Sequence, residues 1–153
     1  MAELKSILLA EDSPQDAELA MEALADNHLA NRVILVKDGV EALEYLRCEG
    51  KYAKRKPGNP AVVVLDIKMP RMDGIEVLKI IRSDPVFKLI PVVMLTSSRE
   101  DQDLIRSYEL GSNAYVVKPM KFGDFITAVK QLGIFWAMLN ELPPERSATQ
   151  DDA

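Results

Sequence analysis

The sequence predicts an α/β domain built on a doubly wound parallel sheet of five strands, with helices on both faces, and three observations predict it. Apolar runs at residues 7–10, 33–36, 61–65, 92–95 and 114–117 are almost continuous in Val, Ile, Leu and Ala, as strands buried on both faces are. The intervening segments carry apolar residues at helical spacing. Glu11-Asp12, Asp66, Thr96 and Lys118 follow or end the first, third, fourth and fifth runs, at the carboxyl edge where open α/β sheets place their ligands.

Each element has a local reason. Residues 5–10 read as the first strand. Ser13-Pro14 then opens a helix, a capping hydroxyl followed by a proline in the first turn. Ala17, Leu19, Ala20, Met21, Ala23 and Leu24 form its apolar face, and it ends near Asn27-His28. The second strand, 33–36, is punctuated by Asp38-Gly39 before a helix through Leu43, Tyr45 and Leu46. Residues 49–59 form a basic loop with Lys51, Lys54, Arg55 and Lys56. The central strand, bounded by Pro60 and Met69-Pro70, ends at Asp66. Asp73-Gly74 opens a helix carrying Ile75, Leu78, Ile81 and Arg82, and Asp84-Pro85 ends it. A polar helix over 100–110 is closed by Gly111. The last strand leads into Lys118-Pro119 and a long helix from 121 to about 140, stopped by Pro143-Pro144. The expected domain covers 1–142, and the polar residues 143–153 are expected to be a disordered tail.

The bulk properties narrow the function. A length of 153 residues suits one domain, and a net charge of -5 argues against nucleic acid as a partner. One cysteine, Cys48, fits a reducing compartment. No apolar run approaches the roughly 20 residues that span a bilayer, and no signal-peptide pattern follows Met1. A cytoplasmic location is expected, with no nucleic-acid and no membrane partner.

The chemistry follows from the strand ends. In the flavodoxin-like order 2-1-3-4-5, taken from the fold class, the first and third strands are neighbours at the switch point. Glu11, Asp12 and Asp66 would meet there, flanked by Thr96 and Lys118. Clustered carboxylates need a cation, and hard oxygen ligands suit Mg²⁺, for which Mn²⁺ can substitute. Asp66, between the acid pair and the Thr96/Lys118 side, is placed to attack phosphorus and form an aspartyl phosphate. Thr96 and Lys118 would hold the phosphoryl oxygens. A flavin carrier would want a Ser/Thr/Gly phosphate loop after the first strand. A P-loop nucleotidase needs a Walker motif, and a haloacid-dehalogenase-type phosphatase a D-x-D pattern; the sequence has none of these.

Over about residues 4–140 the chain resembles the receiver domains of two-component response regulators. The resemblance rests on Glu11-Asp12, on the segment from Asp66 through Lys68-Met69-Pro70 to Asp73-Gly74, on Thr96 and Tyr115, and on Lys118-Pro119. It implies that a histidine kinase phosphorylates Asp66 and that Lys68 ligates the metal through its backbone carbonyl. It also implies a cis Lys118–Pro119 bond, a switch made by Thr96 and Tyr115, and tuning of the phosphoryl lifetime by Lys68 and Ser98. Autodephosphorylation would be slow, so this is no ordinary turnover enzyme. The remaining alternative is a degenerate receiver that acts only as a phosphorylation-independent binding or dimerisation module.

With only a helix and a short tail after the last strand, a stand-alone regulator is expected, signalling to a downstream target by protein contact. On the final helix Phe122, Phe125, Ile126, Val129, Leu132 and Trp136 share the face toward the sheet. Ile134, Phe135, Met138 and Leu142 lie off that face and are expected to form an association surface, homodimeric or for partner docking. This helix and the basic 49–59 insertion resemble the single-domain regulators that pair with bacterial phytochrome-type sensor kinases.

Overall fold

The computed structural model describes residues 6–25, 32–97 and 114–133. Strands Ser6–Ala10 (β1), Arg32–Val36 (β2), Val62–Asp66 (β3), Val92–Thr96 (β4) and Ala114–Val117 (β5) form one parallel sheet in the order 2-1-3-4-5. Ala10 therefore pairs with Leu65, and Thr96 with Val117, which aligns the strand ends along a single rim.

Alternation along the strands divides the core into two layers. Leu8, Ala10, Val63, Leu65, Val92 and Met94 face helices Gly39–Arg47 (α2) and Gly74–Ser83 (α3), which contribute Ala42, Leu43, Leu46, Ile75, Leu78 and Ile81. Ile7, Leu9, Val62, Val64, Val93 and Leu95 face the other way, with Ala20 and Leu24 of helix Pro14–Ala25 (α1) and Phe125, Ala128 and Val129 of helix Phe122–Gln131 (α4). Both layers are fully buried along β3, which is why its sequence is apolar without alternation.

The helices start where capping chemistry allows. The Ser13 hydroxyl accepts the Asp16 N–H at 3.3 Å, and the Asp38 carboxylate accepts the Glu41 N–H at 2.8 Å. Asp73 and Glu76 form a reciprocal capping box at the head of α3. The basic loop is partly used internally. Arg55 lies over the Tyr45 ring and donates to the carbonyls of Tyr45, Lys56 and Gly58, while Lys51 pairs with Glu41.

Two expectations change. Leu19 is 45% exposed, so the buried face of α1 is carried by Ala17, Ala20 and Leu24. The final helix stops at Gln131, and Gly133 takes φ +74, a left-handed conformation suited to a residue without Cβ. The sequence pattern expects Ile134, Phe135, Met138 and Leu142 on an outer face of a longer helix. Those four residues, Trp136, the 100–110 helix and the 143–153 tail lie outside the described residues. Among the described residues no helix is long and apolar enough to cross a membrane.

Candidate active site

The parallel register delivers five chemically capable side chains to the rim. Glu11 follows β1, its amide donating to the Val36 carbonyl at 3.0 Å, and is 2% exposed. Asp66 ends β3 at 3% exposure, and Thr96 ends β4 at 2%. Lys118 follows β5, held by its amide to the Thr96 carbonyl at 2.8 Å, and the next peptide bond, Lys118–Pro119, is cis. Asp12 stands exposed above Glu11.

These groups converge. Carboxylate oxygens of Glu11, Asp12 and Asp66 lie within 4.8 Å of one another, close enough to hold one metal ion. A recess of about 130 Å³ is lined by Asp12, Asp66, Ile67, Lys68, Thr96, Ser97 and Lys118. The Lys118 ammonium donates to Asp66 Oδ2 at 3.0 Å, Asp16 Oδ2 at 3.1 Å and Glu11 Oε1 at 3.2 Å. The remaining oxygens are also engaged, Glu11 Oε2 by the Ser13 N–H at 3.1 Å and Asp66 Oδ1 by the Lys68 N–H at 3.3 Å.

Charge balance follows from this geometry. Glu11, Asp16 and Asp66 share one ammonium, and Asp12 adds a fourth carboxylate beside them. Burial, reinforced by the hydrogen bond and charge of Asp66, pushes the Glu11 carboxyl from 4.5 up to about 7, against the opposing pull of the Ser13 amide and Lys118. Burial would lower Lys118, but the hydrogen bonds and charges of Asp66, Glu11 and Asp16 outweigh it and raise the ammonium above the usual lysine range. A surplus of hard oxygen donors around a half-open recess is the donor set that a Mg²⁺ or Mn²⁺ ion fits.

The loop after Asp66 is shaped by close backbone approach. A Cβ on Gly74 would stand 2.3 Å from the Asp66 carbonyl oxygen, and one on Gly39 would stand 2.3 Å from the Met72 carbonyl oxygen. Arg71, at φ 63, reaches Asp38 with bonds of 2.9 and 3.1 Å, so the turn after β2 braces the loop that leaves Asp66.

Glu11, Asp12, Asp66, Lys68, Thr96 and Lys118 therefore meet as the sequence predicts. Tyr115 lies one strand away, half-buried on edge strand β5 and packed toward the α2/α3 side of the core. Ser98 lies outside the described residues, whereas its neighbour Ser97, not singled out from the sequence, lines the recess. The sequence reading also missed Asp16. Its signal was an acid three residues after the capping Ser13, but an acid in a first helical turn also simply complements the helix dipole.

Known proteins share the sequence family and the fold. The response regulator receiver domain family matches residues 7–130. Response regulator Rcp1 of Synechocystis sp. is 38% identical over 139 residues, covering 91% of this chain and 93% of Rcp1. A solved structure of the bacteriophytochrome response regulator AtBRR is 56% identical with a TM-score of 0.84, covering 92% of this chain and 100% of AtBRR. The phosphorylated cyanobacterial phytochrome response regulator RcpA is 38% identical with a TM-score of 0.72, covering 94% and 100%. A further structure, at 37% identity, 91% and 99% coverage and a TM-score of 0.71, is the Mn²⁺-bound form of Rcp1. The shared sheet order, the rim of acids with Thr96 and Lys118, and a family match over most of the chain make it a member of the response regulator receiver domain family of two-component systems.

Proposed function

We propose that this receiver accepts a phosphoryl group on Asp66 from a sensor histidine kinase and signals by changing its protein contacts. One observation carries the reading: the Asp66 carboxylate is buried at the rim, bonded to Lys118 at 3.0 Å and clustered with Glu11 and Asp12. An Asp66 oxygen forms the new O–P bond as the donor's P–N bond breaks, and the released imidazole takes up a proton. With acetyl phosphate the bond broken is P–O, and acetate leaves with the electron pair. Lys118 and the Thr96 hydroxyl bind phosphoryl oxygens that Asp66 alone would repel. Glu11, Asp12 and Asp66, with the Lys68 carbonyl, would hold Mg²⁺ or Mn²⁺, which supplies positive charge against the phosphoryl group. The phosphorylated state of RcpA and the Mn²⁺ of Rcp1 support both parts of this reading.

Phosphorylation would draw Thr96 toward Asp66 and let Tyr115 turn inward, altering the face around β5 presented to a target protein. Lys68 and Ser98 would border the path of the water that hydrolyses the acyl phosphate. The likeness to AtBRR, a bacteriophytochrome response regulator, supports a phytochrome-type kinase as the partner. The segment 134–142 remains the proposed surface for self-association or docking.

The test is incubation of the full chain with acetyl phosphate and Mg²⁺, borohydride trapping, and mass-spectrometric mapping. Label on Asp66, lost in excess EDTA and in Asp66→Asn, is expected. Full labelling of Asp66→Asn overturns the assignment, and an unlabelled wild type favours a phosphorylation-independent binding module.

A further inference from the structure

We propose that Asp16 is a positioning residue for Lys118, holding its ammonium at the site while the other two carboxylates turn to other partners. The inference rests on the phospho-accepting reading and deepens it. The Lys118 ammonium has three N–H donors, and three carboxylates from three separate segments receive them. Two of these, Glu11 and Asp66, belong to the cluster that can hold a metal ion; Asp16 does not. A cation would engage the Glu11 and Asp66 carboxylates that also receive Lys118, and phosphorylation converts the Asp66 carboxylate into an acyl phosphate. Both events loosen Lys118 at the moment it is needed by the phosphoryl group. Asp16 belongs to neither the metal-capable cluster nor the phospho-accepting group. It is fixed from below, its amide donating to the Ser13 hydroxyl at 3.3 Å in the first turn of α1, and its side chain is 34% exposed, beside the half-buried Lys118. The result is an ammonium tied to α1 on one side and free to turn its other two donors toward phosphoryl oxygens.

The experiment uses the full chain, acetyl phosphate as donor and Mg²⁺, and reads two quantities for wild type, Asp16→Asn and Asp16→Ala: the rate of Asp66 labelling and the Mg²⁺ affinity. Asp16→Ala should slow labelling about tenfold, the lower end for loss of one hydrogen bond to a charged group at a partly exposed site. Asp16→Asn keeps an oxygen acceptor at the same reach and should slow it by less. Mg²⁺ affinity should stay within about twofold of wild type in both. In a Lys118→Ala background, Asp16→Ala should have no further effect on labelling, because Asp16 acts through that ammonium. Labelling that is unchanged or faster in both variants overturns the inference, since Asp16 would then merely repel the incoming phosphoryl group. A parallel loss of Mg²⁺ affinity, or a full additional loss on top of Lys118→Ala, overturns it as well. A wild type that takes no label overturns the phospho-accepting reading and this inference together, whereas a labelled wild type with indifferent Asp16 variants overturns the inference alone.

Discussion

Two groups of buried carboxylates behave in opposite ways. Asp38 and Glu41, at 8% and 9% exposure, sit where α2 begins; Glu11 and Asp66, at 2% and 3%, sit at the rim. Burial works against ionisation of the first pair. Hydrogen bonds and charge from Arg71 and Lys51 outweigh it, and both acids are held below the usual carboxylate range. At the rim burial wins: with the hydrogen bond and charge of Asp66 it lifts Glu11 to about 7, against a Lys118 ammonium that Glu11 shares with Asp16 and Asp66. The difference lies in depth, since Glu11 is buried further and burial is its largest influence, and in the count of cations. One group is closed and braces two loops; the other is left short of positive charge and suits an incoming cation.

The largest effect expected from this contrast is on the pH dependence of stability. Between about 4.5 and 7 the folded, metal-free protein keeps a proton on Glu11 that the unfolded chain has released. Stability should therefore fall as pH rises through that window, by no more than about 3 kcal/mol. Asp38 and Glu41 act in the opposite sense. Their lowered values give stability that is present above the ordinary carboxylate range and lost as pH falls through the folded values. Urea unfolding across pH 3–8 should show both limbs, and Glu11→Gln should flatten only the upper one. An upper limb unchanged in Glu11→Gln would break the comparison.

A smaller effect tests the closed group. Asp38→Ala removes a helix cap and a two-point contact with Arg71, whose side chain is 58% exposed and can return to water. A destabilisation of about 2 kcal/mol by urea unfolding is expected, mostly from the lost cap. Smallest is the response of the open group. Asp12→Asn relieves repulsion among the clustered acids, and the melting midpoint of the metal-free protein should rise by about 2 °C. A fall there would mean that the rim acids are already balanced.

The fold was legible because its strands are buried on both faces. Residues 61–65 can be little else in so short an apolar run, and a catalytic group at the end of each such strand must lie on the same rim. What escaped depends on contacts between distant residues or on one backbone angle. Arg71 and Asp38 lie 33 positions apart, and nothing in either neighbourhood announces their pairing. Asp16 meets Lys118 across 102 positions, hidden behind a local role that explains it equally well. The sequence pattern of the last helix runs past Gly133, whereas the helix ends at Gln131 and Gly133 takes a positive φ. Leu19 fits a helical apolar stripe but falls at its margin, where a single side chain turns to solvent at little cost.

A rim short of positive charge, beside an α2 group that is complete, can be distinguished by calorimetric titration of Mg²⁺ into wild type, Asp12→Ala and Glu41→Gln. One site is expected in wild type, retained with closely similar affinity in Glu41→Gln. In Asp12→Ala a loss of about tenfold to a hundredfold is expected, corresponding to roughly 1.5–3 kcal/mol for a contact with a charged group. Equal affinity in Asp12→Ala and wild type, or a loss in Glu41→Gln as large as that in Asp12→Ala, would contradict that distinction.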